Sequence, residues 1–144
     1  MAHTCEAAVV ICEDFRLHQR KNDRNVAAGF VSALGGECDV ITRGGAIQDL
    51  VRPQQGFDES LRRDLAVSVN LHAVKTIYLI NHENCGAYAQ FQFADRNTEI
   101  MQHSNDLQKA KERVAAWFPG VDVQIRFARL ESGSADQYVI GDVM

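Results

Sequence analysis

An α/β domain of three layers, with helices flanking a mostly parallel sheet, is the fold class this sequence predicts. Three observations carry that expectation. Short apolar runs alternate with stretches of helical spacing along most of the chain. The first run, Ala7–Cys12, is apolar throughout, as suits a strand buried on both faces of a parallel sheet. Near the C-terminus the spacing turns to alternation, which marks a strand exposed on one side. The expected strand order is 2-1-3-4 with an antiparallel edge strand at the C-terminus, given right-handed crossovers.

Each element has its own signal. After the first strand, the stretch 25–34 places Val26, Phe30, Val31 and Leu34 at helical spacing, and Gly35-Gly36 stops it. Cys38–Thr42 predicts the second strand, ended by Gly44-Gly45. Asp58 is placed to cap a helix whose buried stripe is Leu61, Leu65 and Val69. Lys75–Ile80 predicts the third strand, and a short helix starts near Gly86. A long helix is expected from Thr98 to Phe118, with Leu107, Ala110, Val114 and Trp117 on one face and Pro119-Gly120 as its stop. Val121, Val123, Ile125 and Phe127 alternate as a fourth strand. After a turn at 131–136, Gln137–Val143 returns as the antiparallel edge.

The 144 residues predict a single domain over 1–144. Fifteen basic against nineteen acidic residues give a net charge of −4, which argues against a nucleic-acid partner. The longest apolar stretch without charge, 26–36, falls well short of the roughly 20 residues of a membrane span, so none is expected. The N-terminus carries no basic segment and no long apolar core, so a cytoplasmic protein is the expectation. Its four cysteines then read as reduced thiols, either packing residues or ligands.

In a doubly wound sheet the crevice at the ends of the first and third strands is where ligands bind. The first strand runs into Cys12-Glu-Asp14-Phe-Arg16 and the third into His82-Glu-Asn-Cys85-Gly86. Cys12, His82 and Cys85 are thereby expected to converge. Two thiolates and an imidazole suit zinc, and three protein ligands leave a fourth position open. Asp14 is placed either to accept a hydrogen bond from water on the metal or to ligate it directly, with Arg16 holding it as a charge-assisted pair. Cys38 reads as core, and Cys5 carries no assigned role. His18, His72 and His103 have no ligand-spaced partner and read as surface or helix-face residues. Trp117 and Phe118 read as packing anchors. The glycine pair belongs to neither a P-loop nor a dinucleotide fingerprint, so tight turning for close backbone approach is its expected role. A Cys-x5-Arg phosphatase loop is disfavoured, since position 18 is His18.

These segments resemble the β-class carbonic anhydrases, a family marked by Cys-x-Asp-x-Arg after the first strand and His-x-x-Cys after a later one. Both motifs stand here, with 65 residues between Arg16 and His82. The resemblance implies Zn2+ held by Cys12, His82 and Cys85, a catalytic dyad of Asp14 and Arg16, and contact with substrate near Gly44, Gly45 and Gly86. It implies reversible hydration of carbon dioxide to bicarbonate by zinc-bound hydroxide, in a homodimer or higher homo-oligomer. The sequence departs from the family at Thr42-Arg43-Gly44-Gly45, where the family often has Arg-Asn-Ala-Gly. Few residues precede the first strand, so the family's N-terminal arm is not expected. The alternatives are a hydrolase of COS or CS2 on the same site, and a non-enzymatic zinc-binding protein that keeps the fold.

Overall fold

The computed structural model describes residues 3–21 and 24–143; Met1 and Ala2, part of the N-terminal reading above, lie outside them. Five strands, β1 (Ala7–Ile11), β2 (Cys38–Thr42), β3 (Thr76–His82), β4 (Asp122–Leu130) and β5 (Tyr138–Gly141), form one sheet in the order β2-β1-β3-β4-β5. All neighbours are parallel except β4 and β5. This is the expected fold, antiparallel edge included.

The helices are α1 (Val26–Ala33), α2 (Gln48–Val51), α3 (Phe57–Leu71) and α4 (Arg96–Trp117). One face of β1, Ala8 and Val10, packs in a cluster with Leu50 of α2, Leu61 and Leu65 of α3, and Leu107, Ala110 and Val114 of α4. The other face, Val9 and Ile11, packs with Ala27, Phe30 and Val31 of α1. β1 is therefore buried at every position, which explains its unbroken apolar run. Asn25 caps α1 by accepting the Ala28 N–H at 2.8 Å. Gly35 and Gly36 end it with positive φ, and the Gly36 N–H reaches back to the Val31 carbonyl at 3.0 Å.

Several details differ from expectation. Asp58 does not cap α3: Gly56, in the left-handed region at φ 85°, occupies the cap, and Asp58 lies in the first turn. There its carboxylate pairs with Arg113 of α4 at 2.6 Å. β3 runs two residues beyond Ile80, because Asn81 and His82 still pair with Phe127 and Ala128 of β4. α4 begins at Arg96, where Asp95 accepts the Thr98 N–H at 2.8 Å. His103 is not a surface residue; it is fully buried. Short 3-10 turns occupy Phe15–Leu17 and Gly86–Phe91. No helix among the described residues is long and apolar enough to cross a membrane.

Candidate metal centre

Parallel pairing of β1 with β3 sets Ile11 beside Ile80, so the residues following both strands emerge together. Cys12 follows β1, His82 is the last residue of β3, and Cys85 lies three residues further on. Their donor atoms all lie within 4.8 Å of one another, and all three residues are buried.

The imidazole orientation is fixed from behind. His82 Nδ1 lies 2.9 Å from the Glu83 carbonyl oxygen, which can only accept, so Nδ1 carries the hydrogen. The Nε2 lone pair then faces the two sulfurs, buried and without a hydrogen-bond partner. The Tyr138 hydroxyl donates to the same Glu83 carbonyl at 2.8 Å, and its ring meets the imidazole edge-on. The Glu83 side chain is held in turn by the Leu130 N–H at 2.9 Å and by Arg96 at 2.8 Å.

The two sulfurs compete for protons. The Cys12 thiol is pulled well below its ordinary value, chiefly by a hydrogen bond from Cys85. Cys85 is pushed up, because ionising it would break that bond and set a second negative charge beside the first. A cation would stabilise both thiolates together. An orphaned buried imidazole nitrogen beside two such sulfurs fits a soft divalent ion, zinc above all.

Asp14 and Arg16 stand at the rim on the 3-10 turn. Arg16 grips the carboxylate with Nε on Oδ1 at 3.1 Å and an Nη on Oδ2 at 2.7 Å, while its own backbone N–H donates to Oδ1 at 2.9 Å. These bonds hold the Asp14 carboxyl below the usual carboxylate range despite partial burial. Oδ2 is 3.8 Å from His82 Nε2, so the carboxylate edge faces the donor cluster. Arg16 is anchored from the other side: it donates to the Asn84 carbonyl at 2.8 Å, the Asn84 side chain at 3.0 Å and the Ala135 carbonyl at 3.1 Å. Asn84 makes this possible by adopting φ 60°, a conformation asparagine tolerates, and its N–H donates to Glu99.

Of the three glycines singled out, Gly45 has φ 79°, and a Cβ there would lie 3.0 Å from that of Ala87. Its requirement is close approach of the loop after β2 to the segment after Cys85. A Cβ on Gly44 would meet the Glu13 side chain at 3.1 Å, whereas Gly86 has open space at that position. Arg43 turns away from the centre to Asp49 at 2.8 Å and the Phe57 carbonyl at 3.1 Å. The spacing of the motifs reached the five residues at the centre. It missed Tyr138, Glu83, Asn84 and Glu99, whose roles arise from contacts far apart in sequence.

Comparison with known proteins bears on the family and the fold. A family model described as "putative carbonic anhydrase" matches residues 2–132. No curated protein matches the chain. Among solved structures, the carbonic anhydrase of Streptococcus mutans aligns over 99% of this chain and 84% of its own, at 14% identity and a TM-score of 0.62. A carbon disulfide hydrolase in its apo form aligns over 99% of this chain and 80% of its own, at 12% identity and a TM-score of 0.58. A structure of tetrameric β-carbonic anhydrases from Sordaria macrospora aligns over 92% and 83%, at 16% identity and a TM-score of 0.58.

Proposed function

Since this chain belongs to the carbonic anhydrase family, we propose that it is a zinc-dependent lyase that interconverts carbon dioxide and bicarbonate. The observation that carries the reading is the unpartnered His82 Nε2, buried among Cys12 and Cys85 and faced by Asp14 Oδ2 at 3.8 Å. Cys12, His82 and Cys85 would hold the metal. Zinc in such a site supplies a Lewis acid that acidifies water toward neutral pH.

The chain's own residues supply the rest. Asp14 is a hydrogen-bond acceptor directed at the centre, and Arg16 keeps it ionised and fixed in one orientation. It therefore orients a hydrogen-bearing group at the centre through Oδ2, the oxygen that faces His82 and also accepts from Arg16 at 2.7 Å. Glu83 and Tyr138 hold the imidazole so that its basic nitrogen stays inward. Beside Cys85, a cavity of about 310 Å³ lined by Asn84, Gly86, Tyr88 and Glu99 has room for a small substrate. Gly44 and Gly45 are proposed as further substrate contacts, on the close approach of their loop to Ala87.

The carbon disulfide hydrolase among the structural neighbours favours one second reading, hydrolysis of CS2 or COS at the same centre. Side-by-side rates on the three substrates separate them. We also propose a homodimer or larger homo-oligomer: Phe15, between Asp14 and Arg16, is 76% exposed, and the structural neighbours from Sordaria macrospora are tetrameric. Sedimentation tests this. A cytoplasmic location is part of the proposal, and cell fractionation tests it.

The deciding experiment pairs zinc analysis of the purified protein with a stopped-flow hydration assay. Wild type is expected to bind zinc and accelerate hydration. Asp14→Ala is expected to keep zinc and lose about 10²-fold or more in rate, a typical loss for a positioned proton acceptor. Zinc-loaded wild type with no rate above buffer refutes the lyase. Loss of zinc from Asp14→Ala refutes the role given to Asp14 and makes it a ligand.

A further inference from the structure

The opposite end of the sheet carries a second convergence of donors that the proposed chemistry does not use. Cys5 precedes β1, Asp39 lies in β2, and His72 ends α3. Their donor atoms all lie within 4.8 Å of one another. We propose that Cys5, Asp39 and His72 form a second, exchangeable site for a zinc-like divalent cation. It pins the C-terminal end of α3 to the first two strands.

The three positions are set by backbone bonds, not by chance proximity of mobile side chains. The Cys5 N–H donates to the His72 carbonyl at 3.1 Å, which fixes the approach to β1 against the helix end. The His72 N–H closes the last turn on the Ser68 carbonyl at 3.2 Å. Asp39 is held in register opposite Ala8 of β1. Across this frame His72 Nδ1 meets Asp39 Oδ2 at 2.6 Å. The donors line an open depression of about 310 Å³, whose rim also carries His3 and Glu37.

The donor set selects the ligand. A thiolate, a carboxylate and a neutral imidazole offer two negative charges, which a divalent cation balances. One sulfur, one nitrogen and one oxygen suit a borderline-soft ion such as zinc and disfavour magnesium or calcium, which want oxygen alone. Three protein ligands leave one position to water. Binding releases the Cys5 thiol proton to solvent, and the hydrogen that His72 Nδ1 gives Asp39 moves to Nε2, which keeps the imidazole neutral and frees Nδ1 and the carboxylate to ligate. The His72 and Asp39 side chains are 36% and 26% exposed, so water reaches the site and exchange is easier than at the buried Cys12 cluster. Cys5 and Cys12 are seven residues apart along an extended strand, on the order of 20 Å. A cation at this end acts on the fold and not on the reacting atoms.

The test is equilibrium dialysis of the full chain against zinc, with metal counted per chain by mass spectrometry and folding followed by circular dichroism. Wild type is expected to hold two equivalents, one removed by a mild chelator and one retained. Cys5→Ser and His72→Ala are each expected to hold only the retained one. Asp39→Asn, which keeps the size of the side chain and perturbs folding least, is expected to weaken the removable equivalent by about tenfold or more. With cobalt in place of zinc, the thiolate-to-metal absorption of the second equivalent should vanish in Cys5→Ser. A single equivalent in folded wild type at saturating zinc overturns the proposal without recourse to any variant. So does a second equivalent that survives both Cys5→Ser and His72→Ala. Cys85→Ser separates this from the catalytic reading: it removes the retained equivalent only, and its failure to do so counts against the Cys12 centre alone.

Discussion

Arg52 and Asp106 make the clearest case for a measurable asymmetry. Asp106, on α4, is 1% exposed, whereas Arg52, just after α2, is 31% exposed. The guanidinium donates to both carboxylate oxygens, at 3.2 and 2.6 Å, and lies 4.7 Å over the Phe91 ring. The carboxylate also accepts the Tyr88 hydroxyl at 2.8 Å and the Gln102 amide at 3.0 Å. Arg52→Met leaves a buried charge with only those two neutral donors. Breaking one side of a buried pair costs about 3–5 kcal/mol, and the surviving bonds put this case near 3. Unfolding entropy of about 2.1 cal/mol/K per residue, for a chain of this length, converts that to a Tm drop of about 10 °C. Removing both charges avoids the stranded carboxylate, so Arg52→Met/Asp106→Leu is expected to regain about 1–2 kcal/mol over the single variant. Thermal and urea unfolding of the zinc-saturated proteins measures both. A single variant within about 2 °C of wild type, or a double variant less stable than the single, refutes the claim that a stranded charge dominates here.

The other expectations follow from the same contacts. Chelation of the Cys12 centre should lower Tm, since a ligand at a thousand times its Kd contributes about 4 kcal/mol; Cys85→Ser should lose that contribution, so saturating zinc raises its Tm less than it raises that of the wild type. Gly45→Ala forces a Cβ to 3.0 Å from Ala87 at a positive φ, so a loss of about 1–3 kcal/mol is expected in urea unfolding. Burial works to raise the Glu99 carboxyl, but His103 3.5 Å away and a hydrogen bond from the Asn84 N–H outweigh it and hold the group below its ordinary value. A depressed carboxyl stabilises the fold above its unfolded pKa and loses that contribution as pH falls through the folded one. The Tm gap between wild type and Glu99→Gln should therefore be widest near neutral pH and close on acidification below about pH 4, where the unfolded carboxyl protonates. A gap that widens toward acid would show that Glu99 is not stabilised as an anion.

What was legible in the sequence was whatever follows from strand order. Cys12 and the His82–Cys85 pair could be brought together in advance because parallel neighbours deliver their ends to one crevice, whatever the intervening chain does. Contacts that depend on a partner's side chain were not legible. His103 falls at helical spacing with Ile100, Leu107 and Ala110, all buried, yet a histidine there argued for the surface or a helix face; its burial is tolerable because Asn81 meets its Nδ1 at 3.0 Å and the Glu99 carboxylate lies 3.5 Å from its Nε2. Asp58 has the chemistry of a cap, but Arg113, 55 residues away, claims its carboxylate and Gly56 takes the turn. Tyr138 supports His82 from the antiparallel edge strand, a position with no motif to announce it. Cys5 and His72 escaped for a different reason. Ligands usually sit at the carboxyl ends of parallel strands, and nothing in the sequence marks the amino ends as a second place of convergence. The same parallel pairing of β1 and β2 sets Ala7 beside Cys38 and Ala8 beside Asp39, so the amino ends converge as surely as the carboxyl ends do. A cysteine just before β1 and a carboxylate at the start of β2 were thus adjacent by topology, and only the helix end bearing His72 required the structure to find.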